Sequence, residues 1–212
     1  MHPKISLKIV RVLLRLHQKI YSMLGKFACA AEKGLHPKHR LMNYHKFFVD
    51  NVSENDSVLD LGCGNGALSF DIAKKAKFVR AIDINELNIE FCRKKYEKEN
   101  IAYILGDIEN IVTEEKFDIV TLSNVLEHVG DRIGLLRKLS NISKKLIIRV
   151  PMLDRDWVTL YKKELDLPYL LDPTHKIEYV LDMFMDELKQ GGFETEKHLI
   201  RFGEIWAVCL KR

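Results

Sequence analysis

Residues 58–70, VLDLGCGNGALSF, set three glycines at every second position directly behind an apolar run that carries Asp60. A strand that turns through Gly62, Gly64 and Gly66 into a helix brings bare backbone up to whatever lies against it, because a Cβ there blocks the approach or the required dihedrals. From residue 57 onward, short β-branched runs alternate with charged helical patterns, as in βαβ units around a mostly parallel sheet. Strands are expected at 58–61, 78–82, 102–105, 117–122 and 146–150, with helices at 67–75, 86–99 and 132–139 between them. A later helix, 177–190, ends at Gly191-Gly192, where a left-handed cap is easily made. Two last strands, 194–201 and 204–210, meet at Gly203 and read as a hairpin rather than another crossover.

Two acids give the glycine loop a partner. Asp83 closes the second strand about twenty residues after the loop, where a carboxylate accepts both hydrogen bonds of a vicinal ribose diol. Asp107, in YILGDI, ends the third strand, within reach of an exocyclic adenine amine. Either alone reads equally well as a surface acid, and the glycines alone as a ligand-free turn; together they outline an adenosine site at the carboxyl edge of the sheet. The spacing is GxGxG rather than the GxGxxG of dinucleotide folds, the nearby Asp60 would repel a pyrophosphate, and the Lys-Ser/Thr pair of a phosphate loop is missing. An adenosine compound with no phosphate and with a cationic amine suits these residues, namely S-adenosylmethionine.

The stretches VLDLGCGNG, AIDI, GDI and FDIVTLSNVLEHV resemble the successive motifs of the class I S-adenosylmethionine-dependent methyltransferases, over about residues 56–210. The resemblance implies an α/β Rossmann-like, doubly wound, seven-stranded sheet, mostly parallel with an antiparallel last strand, preceded by an N-terminal helical cap. Residues 1–50 would form that cap and residues 51–212 the cofactor-binding methyltransferase domain. Carried over by position, Asp60 and the loop Gly62, Cys63, Gly64 and Gly66 would hold the methionine end. Asp83 would bind the ribose, Ile84 would pack on adenine, Asp107 with the Ile108 amide would read the adenine edge, and Ser123 would border the sulfonium. S-adenosylhomocysteine would be the product.

Methyl transfer is an in-line displacement, and a base is needed only when the acceptor arrives protonated. SNVLEHV offers Glu127 and His128 just past the fourth strand. His128 has the basicity to take a hydroxyl proton; the plainer alternative is a histidine that fixes the loop. His175, in LDPTHKIEYVLDMFMDELKQGGFE, stands where the resemblance places a histidine of the acceptor pocket. Some relatives share a divalent metal between acids and histidines of these two segments, which here would be Glu127, His128 and His175. Asn124 occupies the place of a first Glu, the local ligand spacing is weak, and no metal is expected.

The motif of DNA amino-methyltransferases is absent after the fourth strand, as are the paired glutamates of protein-arginine methyltransferases, so DNA is not expected as a partner. O-methylation of a small molecule, lipid or glycan remains. The alternatives are a cofactor-binding module without turnover and an RNA methyltransferase. Between the fifth strand and the last helix, Trp157, Tyr161 and Tyr169 read either as a substrate lid or as ordinary packing.

Composition adds one asymmetry. The chain of 212 residues carries a net charge of +4, yet residues 1–40 alone hold nine Lys/Arg against Glu32. Lys8, Arg11, Arg15 and Lys19 recur at helical spacing beside Ile9, Val12, Leu13, Leu16 and Ile20, so the segment reads as a basic amphipathic helix. It is expected either to cap the acceptor pocket, with Arg40 or His39 reaching the methionine carboxylate, or to touch an anionic membrane surface, with RNA attraction ranked third. No apolar run approaches the ~20 residues needed to span a bilayer. Four scattered cysteines make neither a zinc site nor a disulfide framework, and a cytoplasmic protein, peripheral to the membrane at most, is expected.

Overall fold

The computed structural model describes residues 2–32, 36–111 and 114–212. Seven strands form one sheet: β1 (Ser57–Leu61), β2 (Phe78–Asp83), β3 (Ile101–Leu105), β4 (Phe117–Ser123), β5 (Ser143–Pro151), β6 (Phe193–Arg201) and β7 (Glu204–Lys211). Their order is β3-β2-β1-β4-β5-β7-β6. The first five pair in parallel, while β7 runs antiparallel between β5 and β6. The expected doubly wound sheet with its antiparallel final strand is therefore the observed one.

The central strands are buried on both faces, which is why they read as continuous apolar runs rather than alternating ones. On one side Leu61, Leu122 and Ile148 pack with α6 (Arg132–Ile142) and α8 (Leu181–Gln190). On the other, Val58, Ile119 and Ile147 pack with Phe48 of α3 (Tyr44–Asp50), Ile72 of α4 (Ala67–Ala73) and Trp206 of β7. α5 (Glu86–Lys95) covers β2 and β3 through Ile89 and Cys92.

Three elements differ from expectation. α8 starts at Leu181 rather than residue 177, because Tyr179 is pinned beside the end of β5: its N–H donates to Pro151 O, and its carbonyl accepts from Leu153 N–H. α5 stops at Lys95. The segment read as a lid contains a helix, α7 (Trp157–Glu164), whose N-cap Asp156 accepts from Thr159 N–H at 2.6 Å.

Ahead of the sheet stand α1 (Pro3–Ala31) and α2 (Lys38–Met42). α1 runs for 29 residues and buries only Leu14. Polar contacts also fix it to the rest of the molecule: Gln18 Nε2 donates to Leu170 O at 3.3 Å and Lys162 Nζ donates to Gln18 Oε1 at 2.7 Å. None of the helices among the described residues is long and apolar enough to cross a membrane.

Candidate active site

The strand order reverses between β1 and β4, and at that switch point an open α/β sheet leaves a crevice at the carboxyl ends of its strands. β1 turns there through Gly62, at φ +70°, where a Cβ would meet Val125 Cγ2 at 2.6 Å. Gly64, at φ +53°, is the opposite case: a Cβ there meets nothing within 4 Å, so the glycine leaves an open cradle beside the loop.

Asp83 closes β2 and supports that cradle. Its Oδ2 accepts from Gly64 N–H at 2.8 Å, while Oδ1 accepts from Asn85 N–H at 2.8 Å and from Asn88 Nδ2 at 3.2 Å. Asp107, half-buried past β3, takes Glu109 N–H and Asn110 Nδ2 on its two oxygens. Ile84 is 72% exposed beside Asp83, and Ser123 is half-buried at the end of β4. Cys63 is buried in the loop, and Ile108 packs against the core. These residues therefore share the carboxyl edge.

Asp60 is enclosed in the fold. It is 1% exposed, and its oxygens accept from Ser69 Oγ at 2.5 Å and Thr121 Oγ1 at 2.7 Å, so it braces α4 and β4 against β1. Burial pushes its carboxyl up to about 6. Arg40 and His39 have partners of their own. The Arg40 guanidinium is taken by Glu32, and His39, bonded to Tyr44 Oη at 2.5 Å, is held neutral by burial and by His45, its pKa lowered to about 4.

Beyond β4, Asn124 takes a left-handed φ of 57° and leads into a short 3-10 turn, Leu126–His128. This turn lies against the loop before α8. His128 and His175 meet edge to face with ring centroids 4.7 Å apart. Thr174 donates its one hydroxyl proton to Asp172 Oδ1 at 2.6 Å, so toward His128 Nδ1, 3.0 Å away, it accepts. His128 thus carries its proton on Nδ1 and presents a lone pair on Nε2. Burial, then His175, lowers the pKa of His128 and keeps it neutral. His175 is oriented in the same way, Nδ1–H donating to Glu178 Oε1 at 3.1 Å.

Glu127, next to His128 in the turn, has no exposed surface and no partner for either oxygen among the described residues. Burial raises its carboxyl to about 8. Glu127, His128 and His175 each offer a ligand atom within 4.8 Å of the others. Nearby, Arg149 is 3% exposed, stacked 3.6 Å over the Tyr44 ring and 3.4 Å from Glu204.

His128 and His175 open on a cavity of about 600 Å³. α1 supplies His17, Gln18 and Tyr21 to its wall; α7 and the residues before it supply Arg155, Thr159 and Lys162. None of the aromatics read as a lid lines this cavity: Trp157 is 71% exposed with its ring tilted 33° against Tyr161, and Tyr169 lines a neighbouring hollow. Sequence reasoning missed Lys162 and the Arg155–Glu178 ion pair. The N-cap pattern of Asp156 was a signal for α7, but nothing local tied Lys162 to Gln18, 144 residues away.

The family described as Methyltransferase domain matches residues 52–165. A ubiquinone biosynthesis O-methyltransferase of Coxiella burnetii is 30% identical over 132 residues, 57% of this chain and 56% of that protein. A protein of the same name from Neisseria meningitidis is 36% identical over 93 residues, 41% of this chain and 39% of the relative. The chain thus spans about half the length, or less, of these curated relatives. Magnesium protoporphyrin IX methyltransferase from Synechocystis, solved with bound S-adenosylhomocysteine, shares the fold with a TM-score of 0.61 at 18% identity, covering 92% of this chain and 84% of that one. With more than half its length matched by the family and the same switch-point architecture, this chain belongs to the methyltransferase domain family.

Proposed function

We propose that this protein transfers a methyl group from S-adenosylmethionine to an oxygen of a small molecule, and that residues 1–50 cap the acceptor cavity of the domain formed by residues 51–212. One observation carries the reading: the open cradle at Gly64, braced by Asp83, and the cavity bearing His128 and His175 lie on either side of the β4 end. The cofactor would lie along the carboxyl edge with its ribose at Asp83, adenine between Ile84 and Asp107, and its methionine end over the loop. Asp60 then acts through the loop and not by contact.

In the reaction an acceptor O–H would lie in line with the S–CH3 bond. The oxygen forms the O–CH3 bond as the C–S bond breaks and leaves S-adenosylhomocysteine; His128 Nε2 takes the proton. Holding the two reactants in line supplies much of the rate, and neutral His128 supplies the rest. Lipid and glycan acceptors and a membrane contact through α1 belong to the same reading.

The test is calorimetric titration with S-adenosylhomocysteine, with labelled methyl transfer into lipid, small-molecule, glycan, RNA and protein fractions of an extract. Asp83→Ala should weaken binding by about 1–3 kcal/mol, the scale of charge-assisted hydrogen bonds. Unchanged affinity would overturn the ribose assignment; binding without label in any fraction would favour a module without turnover.

A second reading has its own observation, the partnerless Glu127 carboxyl gathered with two histidines whose Nδ1 atoms are already held. That donor set suits a divalent cation, which would make an acceptor hydroxyl easier to deprotonate. Methyl transfer that survives chelation keeps His128 as the base; transfer lost on chelation and restored by added magnesium or zinc assigns the cluster to a metal.

A further inference from the structure

The cavity has a neighbour. A second hollow of about 610 Å³ lies under α1, walled by Ser22 and Met23 and by Pro168, Leu170 and Pro173. The two share Gln18 and Leu171 in their walls. Gln18 forms the ridge between them and is held from both sides, its Oε1 by Lys162 at 2.7 Å and its Nε2 by Leu170 O at 3.3 Å. The first hollow is lined largely by charged and polar side chains and the second largely by apolar ones.

The charged groups lining the first hollow balance in number, Lys38, Arg155 and Lys162 against Asp156, Asp172 and Glu204, but Lys162 has no carboxylate in contact with it among the described residues. Lys162 is 4% exposed, and among the described residues its ammonium bonds Gln18 Oε1 and lies 3.3 Å from His17 Nδ1, with no carboxylate in ion-pair contact. The acids nearby hydrogen-bond other groups: Asp156 caps α7 and reaches Lys162 only through space, Asp172 holds Thr174, Glu204 takes Trp206 Nε1 and lies 3.4 Å from Arg149, and Glu178 takes Arg155, His175 and the Leu171 amide. A buried ammonium without a carboxylate is costly unless an anion joins it.

We infer that the acceptor is an anionic amphiphile, with its carboxylate or phosphate head at Lys162 in the cavity and its apolar chain across the Gln18 ridge in the hollow under α1. The inference rests on the methyltransferase reading for the word acceptor, but binding at these two hollows is measurable without turnover. Each hollow has room for part of such a molecule, and the shared ridge leads one part into the other.

The experiment is calorimetric titration of the full chain, with and without S-adenosylhomocysteine, using butyl phosphate and dodecyl phosphate below its micelle threshold. Dodecyl phosphate should bind at least about tenfold more tightly, about 1.4 kcal/mol. Ser22→Trp, which fills the chain hollow, should remove most of that gain and leave butyl phosphate unchanged. Lys162→Met should weaken both about tenfold. The double variant Leu13→Ser, Leu16→Ser, on the outer surface of α1, should change neither. Equal affinities for the two phosphates, an effect of the outer variant in place of Ser22→Trp, or an unchanged Lys162→Met would each overturn the inference. Failure of the methyltransferase reading shows separately, as absent cofactor binding or absent label.

Discussion

At the scale of single residues, Asp60 is a buried acid that joins three elements. Its two oxygens tie Ser69 of α4 and Thr121 of β4 to the end of β1, fixing the strand that enters the glycine turn. Burial outweighs those two hydrogen bonds and raises the carboxyl from 3.8 to about 6. An acid with a raised pKa holds its proton more tightly in the folded chain than in the unfolded one. Its stabilising contribution is therefore complete below pH 3.8, is lost as pH rises through about 6, and stays lost above that. A shift of about two units corresponds to about 3 kcal/mol. The unfolding free energy of the wild type minus that of Asp60→Asn should accordingly fall by about this amount between about pH 3 and about pH 7 and then level off, measured by urea denaturation at each pH. A difference independent of pH would place the carboxyl at its ordinary value.

At the scale of elements, the turn between β1 and α4 is the most constrained joint. Gly62→Ala would put a Cβ into the left-handed region and against Val125, the residue that leads into the turn of Glu127 and His128. The strained dihedral and the overpacking together should cost about 2–4 kcal/mol and weaken S-adenosylhomocysteine binding in parallel, seen by thermal unfolding and calorimetry. A variant as stable as the wild type would show that Val125 yields freely. This joint was legible in the sequence because glycine spacing is a local signal. So were the strands: burial on both faces enforces β-branched runs, and all seven lie within a few residues of where those runs stand. α7 was not legible as long as its aromatics were read as a lid, and α8 was placed too early because the bridge holding Tyr179 to β5 is a long-range contact. The same limit applies to the site. Asp83 and Asp107 follow from strand ends, whereas the inward turn of Asp60, the pairing of Arg40 with Glu32 and the meeting of Lys162 with Gln18 depend on which elements pack together.

At the scale of the whole molecule, the charge asymmetry becomes a geometry. Lys4, Lys8, Arg11, Arg15, Lys19 and Lys26 each stand one position before Ile5, Ile9, Val12, Leu16, Ile20 and Phe27. One position is about 100° around a helix, so a cationic stripe and an apolar stripe run side by side along α1. The apolar stripe is uncovered, from 43% exposure at Ile9 to 68% at Phe27, and α1 itself contains no acid. The opposite side of the same helix carries Gln18, which walls the cavity. A helix lying in the interface of an anionic bilayer would therefore hold the acceptor cavity at the membrane surface. Each basic residue contributes about 1 kcal/mol near such a surface, and salt screens that attraction within about 10 Å at 0.1 M. The full chain should sediment with phosphatidylserine-containing vesicles at low salt, less at high salt, and little with neutral phosphatidylcholine vesicles. Leu13→Asp with Leu16→Asp should abolish sedimentation while leaving S-adenosylhomocysteine binding intact, because the cofactor edge lies on other elements. Failure to bind anionic vesicles, or equal binding to neutral ones, would leave α1 as a cap alone, and its two stripes would then require a protein partner to cover them.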